Sequence, residues 1–154
     1  MILLLGALLI GVIAGLRAMT APAAVAWAIH LGCVAAPGDW TAFMGYRFTP
    51  WIFGLLALAE LVTDQLPSTP SRKVPVQFAT RIIMGGLAGA TLCSAAGMTL
   101  AGLAAGAVGA VIGTLGGAAG RAQLAARFGR DLPAALIEDA LAILGAFLII
   151  CVLR

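Results

Sequence analysis

The sequence has few charged residues. Only 10% of its 154 residues are Asp, Glu, Lys or Arg, whereas a soluble domain has about a quarter. The chain therefore lacks the polar side chains needed to cover a water-exposed surface. Its net charge of +3 is small and dispersed, which excludes the basic footprint of a nucleic-acid-binding domain. These shortages predict an integral membrane protein whose main partner is the lipid bilayer.

Cysteines and catalytic motifs are also scarce. Cys33, Cys93 and Cys151 are far apart, and their spacing matches no metal or redox motif. The sequence has no nucleophile elbow, phosphate-binding loop or HExxH motif, so it predicts neither an enzyme nor a bound cofactor or metal. No Lys or Arg precedes the first apolar run, which we therefore interpret as a mature segment rather than a signal peptide.

Apolar residues make up 62% of the chain, and the mean hydropathy is +1.10. A helix needs about 20 apolar residues to cross a bilayer. Counting apolar stretches of about this length, the sequence predicts an all-α, polytopic bundle of about five spans. These spans form a single transmembrane domain over residues 1–154. The predicted spans are Ile2–Leu16 continuing in broken form through Ala21–Leu31, then Thr49–Leu66, Phe78–Gly97, Thr99–Gly120 and Ala134–Leu153.

The break in the first span follows from Arg17, Thr20 and Pro22, because proline removes a backbone donor and clashes with the preceding turn. Basic residues follow the second and fourth spans, and with five spans they fall on one side of the membrane. The positive-inside rule makes that side cytoplasmic. The sequence thus predicts a multi-pass protein of the bacterial inner membrane with a cytoplasmic N-terminus. The basic residues are Arg72, Lys73 and Arg81, then Arg121, Arg127 and Arg130.

Two stretches have a similar pattern, glycine-rich and ending in arginine: Gly11–Ala18 and Gly113–Ala122. One interpretation is an inverted repeat, as in transporters whose broken helices meet near the midplane of the membrane. The other is chance similarity between spans rich in Gly and Ala. The acidic residues do not map onto each other under the repeat, which counts against it.

Carboxylates inside predicted spans are the strongest functional signal. Glu60 and Asp64 are four residues apart and share a helix face, and Glu138 and Asp139 lie about one turn inside the fifth span. Two central acids would cost about 5 to 6 kcal/mol, as much as the apolar residues of that span supply. These acids therefore need partners, and Arg81 and Arg121 are candidates. The set is either a proton or cation pathway or a structural ion-pair network.

Arg17 lies beside Thr20 and the free backbone N–H groups of the following half-helix. That arrangement suits an anion, although an arginine extending to the membrane interface is the alternative. Gly109, Gly113 and Gly117 predict a close helix contact, either within the chain or between two copies. We expect a homodimer, because so small a transporter needs a second copy to wall a pathway.

Two motifs carry a resemblance to a known family: Gly15-Leu-Arg-Ala-Met-Thr-Ala-Pro-Ala23 and Glu60-Leu-Val-Thr-Asp-Gln-Leu-Pro-Ser-Thr-Pro-Ser-Arg72. In them the chain resembles the small bacterial membrane proteins filed as domain of unknown function four-one-two-six. The resemblance implies a multi-spanning fold and no particular substrate. It favours as site residues Arg17, Thr20, Pro22, Glu60, Asp64, Pro67, Thr69, Pro70 and Arg72.

Two functions follow as hypotheses. The first is a small transporter or channel for an unknown ion or solute, whose polar pathway is lined by Arg17, Thr20, Glu60, Asp64, Arg72, Arg81, Arg121, Glu138 and Asp139. The second is a non-transporting scaffold or a lipid-headgroup-binding protein. A pathway requires the acids beside a hydrated cavity, whereas a scaffold would pair them with arginine in a dry bundle.

Overall fold

The computed structural model describes residues 1–64 and 74–154, and these residues form helices and connecting turns without any strand. Three of these helices are long and apolar enough to cross a membrane. The all-α prediction is confirmed, and the three candidate spans support a membrane protein. The helices are α1 (Ile2–Leu16), α2 (Thr20–His30), α3 (Thr49–Thr63), α4 (Pro75–Ser94), α5 (Thr99–Phe128) and α6 (Asp131–Leu153), with a short 3-10 helix (Trp40–Gly45) between α2 and α3.

The candidate spans are α4, α5 and Leu132–Leu153 of α6, while α1 and α3 are shorter apolar helices. Prolines lie in the first turns of several helices, where the missing N–H would have no partner in the helix. Pro50 opens α3 and Pro75 opens α4 in this way. Glycine ends a helix in the opposite way: at the C-terminal end of α5, Gly129 has a φ of 65°. Glycine reaches this left-handed conformation without strain, and the helix stops there.

The helices α1 and α4 are antiparallel. Near the end of α4, the Cys93 thiol lies 3.6 Å from the carbonyl oxygen of Leu3 at the start of α1. Near the start of α4, Arg81 donates a hydrogen bond to the carbonyl of Gly15 at the end of α1. The start of α1 therefore lies at the same end of the bundle as the end of α4.

The helix α2 returns toward the end of the bundle from which α1 started. The loop after α2 contains Asp39, which accepts a hydrogen bond from Thr99 at the start of α5. A Cβ on Gly102 of α5 would in turn meet Cys93, so this loop lies beside the start of α1. The chain thus reverses between Leu16 and Thr20. The two parts of the predicted first span are an antiparallel pair and not one continuing helix.

Both chain termini lie at this same end of the bundle, since a Cβ on Gly6 would lie 2.6 Å from Leu153. We call this end the termini face. The other end, called the opposite face, holds the last residues of α5 and the first residues of α4 and α6. The sequence-based topology placed the N-terminus on the side of the loop that precedes α4. In the structure Met1 is at the other end, because the reversal at Arg17 adds one more change of direction.

The helix α5 packs between α1 and α4 through two glycine faces. A Cβ on Gly113 would collide with the backbone of Val12 in α1, and one on Gly106 would collide with the carbonyl of Gly85 in α4. Backbones approach this closely only where side chains are absent. The contact at Gly113 therefore lies within one chain.

The structure differs from two further expectations about α5. The predicted fourth span ends at Gly120, yet the helix continues through the basic residues that follow it to Phe128. The inverted repeat would place α1 and α5 in opposite directions. They run in the same direction, since Gly11 packs on Gly106 and Gly15 packs four residues further along, on Ala110. The two glycine-rich stretches are therefore not related by inversion.

The reversal between α1 and α2 is deep inside the bundle. Gly15 packs against Thr114, which is fifteen residues, or about 22 Å of helix, from the start of α5 at the termini face. From this level α5 runs on for about 20 Å more to Phe128. The turn at Arg17 thus ends a hairpin that enters the bundle from the termini face and returns to it.

Candidate functional site

Arg17 is the residue around which the site is built. It lies in extended conformation directly after α1, and its side chain is 0% exposed. The guanidinium makes ion pairs with Asp64, which follows the last residue of α3, and with Asp139 of α6. The predicted alternative of an arginine extending to the membrane interface does not describe this side chain, since it is enclosed by the bundle.

Glu60 of α3 binds the beginning of α2. Its two carboxylate oxygens accept hydrogen bonds from the backbone N–H groups of Ala18, at 2.7 Å, and Met19, at 2.8 Å. The first N–H groups of a helix have no partner within the helix and carry partial positive charge. At this helix start, where an anion was predicted, the backbone N–H groups bind a carboxylate of the same chain.

Arg81 of α4 binds the end of α1. Its Nη1 donates hydrogen bonds to the carbonyl oxygens of Gly15, at 2.7 Å, and Leu16, at 2.6 Å. Its Nη2 lies 3.9 Å from a carboxylate oxygen of Glu60 and 3.9 Å from one of Asp64. The unpaired carbonyls at a helix end favour a cation. Arg81 and Glu60 thus satisfy the two helix ends that the reversal leaves open.

Arg121 and Glu138 extend the site toward the opposite face. Arg121 Nη1 lies 3.7 Å from Glu138 Oε2, and the two side chains are 17% and 7% exposed. Glu138 is the neighbour of Asp139, so this pair adjoins the ion pairs of Arg17. We call the whole set the charge cluster. It comprises Arg17, Glu60, Asp64, Arg81, Arg121, Glu138 and Asp139.

The charge cluster contains three positive and four negative groups from α3, α4, α5, α6 and the turn after α1. Not every polar atom in it is satisfied. Arg17 Nε is buried and makes no hydrogen bond with a described residue, and Arg17 Nη2 faces Asp139 Oδ1 without hydrogen-bond geometry. Two aspartates on different helices thus share one guanidinium. A buried polar group without a partner is costly, and such costs concentrate at functional sites.

The remaining predicted site residues lie elsewhere. Thr20 is buried in the first turn of α2 beside the cluster, whereas Arg72 is outside the described residues, as are Pro67, Thr69 and Pro70. Gly109 and Gly113 face α1, and Gly117 is half-buried further along α5. Within the described ranges no group of three or more His, Cys, Asp or Glu has the arrangement of a metal site.

An apolar groove with a volume of about 450 Å³ adjoins the charge cluster. Its floor is α2 and its walls are α3 and α6, and it runs from Thr20 near the cluster to Leu31 and Arg154 at the termini face. Small residues form much of its surface, including Ala24 on the floor and Ala57 on the α3 wall. This groove was not predicted from the sequence. The three-to-four-residue spacing of small residues on α2 and α3 was the available signal.

Asp39 organises the loop between α2 and α3. Its Oδ1 accepts hydrogen bonds from the Thr41 hydroxyl, at 2.6 Å, and from the Thr41 backbone N–H, at 2.9 Å, and its Oδ2 accepts one from Thr99. These hydrogen bonds hold the pKa of Asp39 below its usual range, with the largest effect from the Thr41 hydroxyl, then the Thr99 hydroxyl, then the Thr41 N–H.

Comparison of the chain with protein-family models, with curated proteins and with solved structures finds no match.

Proposed function

We propose that the protein is a small transporter or channel of the bacterial inner membrane, with the charge cluster as its ion-responsive centre. One observation carries the proposal: two aspartates of different helices share Arg17 at the buried end of a helical hairpin. Ionisable groups inside a membrane bundle usually mark ion or substrate pathways. Discontinuous helices whose ends meet charged groups are likewise a feature of transporters.

The proposed topology has α3, α4, α5 and α6 crossing the membrane, while α1 and α2 enter from the termini face and return to it. Non-helical backbone at membrane depth is tolerated where it is buried in protein, as the turn at Arg17 is. Arg127 and Arg130 lie at the opposite face, and the sequence between α3 and α4 adds Arg72 and Lys73. The positive-inside rule therefore favours a cytoplasmic opposite face, with both termini outside.

The cluster supplies a mechanism for coupling to an ion. Asp64 and Asp139 share the guanidinium of Arg17. When one aspartate binds a proton or a cation, the guanidinium remains paired only with the other aspartate. That change weakens an electrostatic tie between α3 and α6, which border the groove. The end of α3 that carries Glu60 and Asp64 is held by these charges, and it can then move when they are neutralised.

The second candidate function is a non-transporting scaffold or lipid-headgroup-binding protein. The pairing of the acids with arginines in a closely packed interior favours it, because this is the arrangement expected of a structural network. The resemblance to the family of unknown function is compatible with both candidates.

A homodimer is part of the transport proposal. Its contact would use an outward face of α5, such as that of Val108, Ile112 and Leu115, because α1 covers Gly109 and Gly113.

Ion flux into liposomes tests the proposal. The purified protein is reconstituted into liposomes that contain a fluorescent dye selective for H⁺, Na⁺ or K⁺, and the gradient of the matching ion is applied to each. We expect faster dissipation of at least one gradient than in protein-free liposomes, and loss of that flux in Asp64→Asn. The matched control is Asp39→Asn, the same substitution in the loop outside the cluster, which should keep the flux.

Thermal melting of the same variants separates the two candidates. A structural network predicts no flux for any ion in the wild type and a lowered melting temperature in Asp64→Asn. That result would reject transport.

Cysteine labelling tests the topology. Cysteines introduced at Tyr46 and Arg130 of a variant without native cysteines should label from opposite sides of the membrane, with Tyr46 outside. Labelling of both from one side would reject the topology.

A further inference from the structure

We infer that the apolar groove between α3 and α6 binds one acyl chain of an anionic phospholipid, with the headgroup at Arg154. This inference rests on the proposed membrane topology but not on transport, so a failure of the flux test leaves it standing. It concerns a surface that lies outside the charge cluster and whose lining is almost entirely apolar. Its volume of about 450 Å³ is within the range of small-ligand sites, which is roughly 300 to 1,000 Å³.

The length of the groove matches one leaflet of a bilayer. It follows α2 from Thr20 to Leu31, eleven residues that rise about 16 Å, and the hydrocarbon core of a bilayer is about 30 Å thick. At its inner end the groove is lined by Thr20, Leu61 and Ile143. Each lies three or four residues, about one helical turn, from a member of the Arg17, Asp64 and Asp139 ion pairs. A transmembrane helix of another protein would have to continue past these charges, whereas an acyl chain ends near the midplane.

The openings of the groove also favour a lipid. Leu58 of α3 and Phe147 of α6 line it and are 60% and 65% exposed, so its sides are open to the surrounding membrane. Arg154 is the charged residue among the lining residues, and it lies at the termini-face end of the groove, which the proposed topology places at headgroup level. A guanidinium binds phosphate through two parallel hydrogen bonds, which selects an anionic headgroup that can approach it closely.

The tryptophan Trp27 lines the groove and reports on its occupant. In a Trp40→Phe, Trp51→Phe variant, Trp27 is the remaining tryptophan, and brominated acyl chains quench its fluorescence when they touch it. We expect at least twofold stronger quenching by brominated phosphatidylglycerol than by brominated phosphatidylcholine at the same mole fraction. Ala57→Phe should fill the groove and remove the difference. The matched control, Ala59→Phe, changes an exposed residue of the same helix outside the groove and should preserve it.

The headgroup part of the inference is tested in the same background. Arg154→Gln should bring the quenching by the two lipids to equality, while Arg47→Gln, which removes a cation that lies over the Phe48 ring, should leave the preference intact. Equal quenching by both lipids in the parent variant would overturn the anionic selectivity. Quenching that Ala57→Phe leaves unchanged would show that no acyl chain occupies the groove. The same conclusion would follow if the parent variant were dimeric and neither brominated lipid quenched Trp27.

Discussion

The bundle has two halves that are held together by different forces. The helices α1, α4 and α5 pack backbone to backbone through glycine, whereas α3 packs on α2 and on the 3-10 helix and buries little beyond its first two residues. At the far end of α3 the contacts are ionic, through Glu60 and Asp64. Close packing resists displacement, while ion pairs depend on protonation and on nearby ions. The comparison thus distinguishes a rigid half, packed through glycine, from a half whose far end is held by ion pairs.

The largest effect is expected from a side chain placed in the rigid half. Gly113→Leu should prevent stable folding, because even its Cβ would collide with the backbone of Val12, which cannot move as a flexible side chain can. Overpacking typically costs about 1 to 3 kcal/mol, and a backbone collision exceeds that range. Gly116→Leu on the same helix is the control, since no atom lies within 4 Å of its added Cβ. Equal melting temperatures for the two variants in detergent would contradict the packing described for α1 and α5.

A somewhat smaller loss is expected in the half that is held by ion pairs. Arg17→Met removes the shared partner of Asp64 and Asp139, and breaking a buried pair on one side costs about 3 to 5 kcal/mol. Adding Asp64→Asn and Asp139→Asn to this variant should recover part of the melting temperature, because no buried charge is then left unpaired. Arg47→Met, in the loop, should change stability by less than about 0.5 kcal/mol. If the triple variant melts below Arg17→Met, the charges are not coupled as the structure indicates.

The smallest effect concerns the loop that ties the two halves together at the termini face. Since hydrogen bonds from Thr41 and Thr99 lower the pKa of Asp39 in the folded protein, its ionised form stabilises the fold above the pKa of the unfolded chain, about 4. That stabilisation disappears as the pH falls below this value. The melting temperature of the wild type should therefore exceed that of Asp39→Asn at pH 6, and the difference should shrink below about pH 4. A difference that is constant over this range would exclude Asp39 as its source.

The sequence predicted the identity of the charged residues better than their arrangement. An acid inside an apolar helix is visible in sequence because its burial is costly, so Glu60, Asp64, Glu138 and Asp139 could be selected without a structure. The reversal at Arg17 could not be predicted in the same way. A polar residue followed by Pro22 marks the end of a helix, but whether the chain continues or turns back depends on Glu60 and Arg81, which are distant in sequence. The groove was missed for a similar reason, because it is a space between three helices rather than a property of one.

The position of Arg17 also constrains the order in which the chain can assemble. The first helices leave the ribosome before the residues that stabilise their ends exist: Asp64 is 47 residues later than Arg17, and Arg81 is 66 residues later than Gly15. Until then a charged side chain and several free backbone groups would be exposed to lipid, which is strongly unfavourable. In the topology proposed above, the hairpin of α1 and α2 would therefore be synthesised first but reach its final depth last, after α3, α4 and α6.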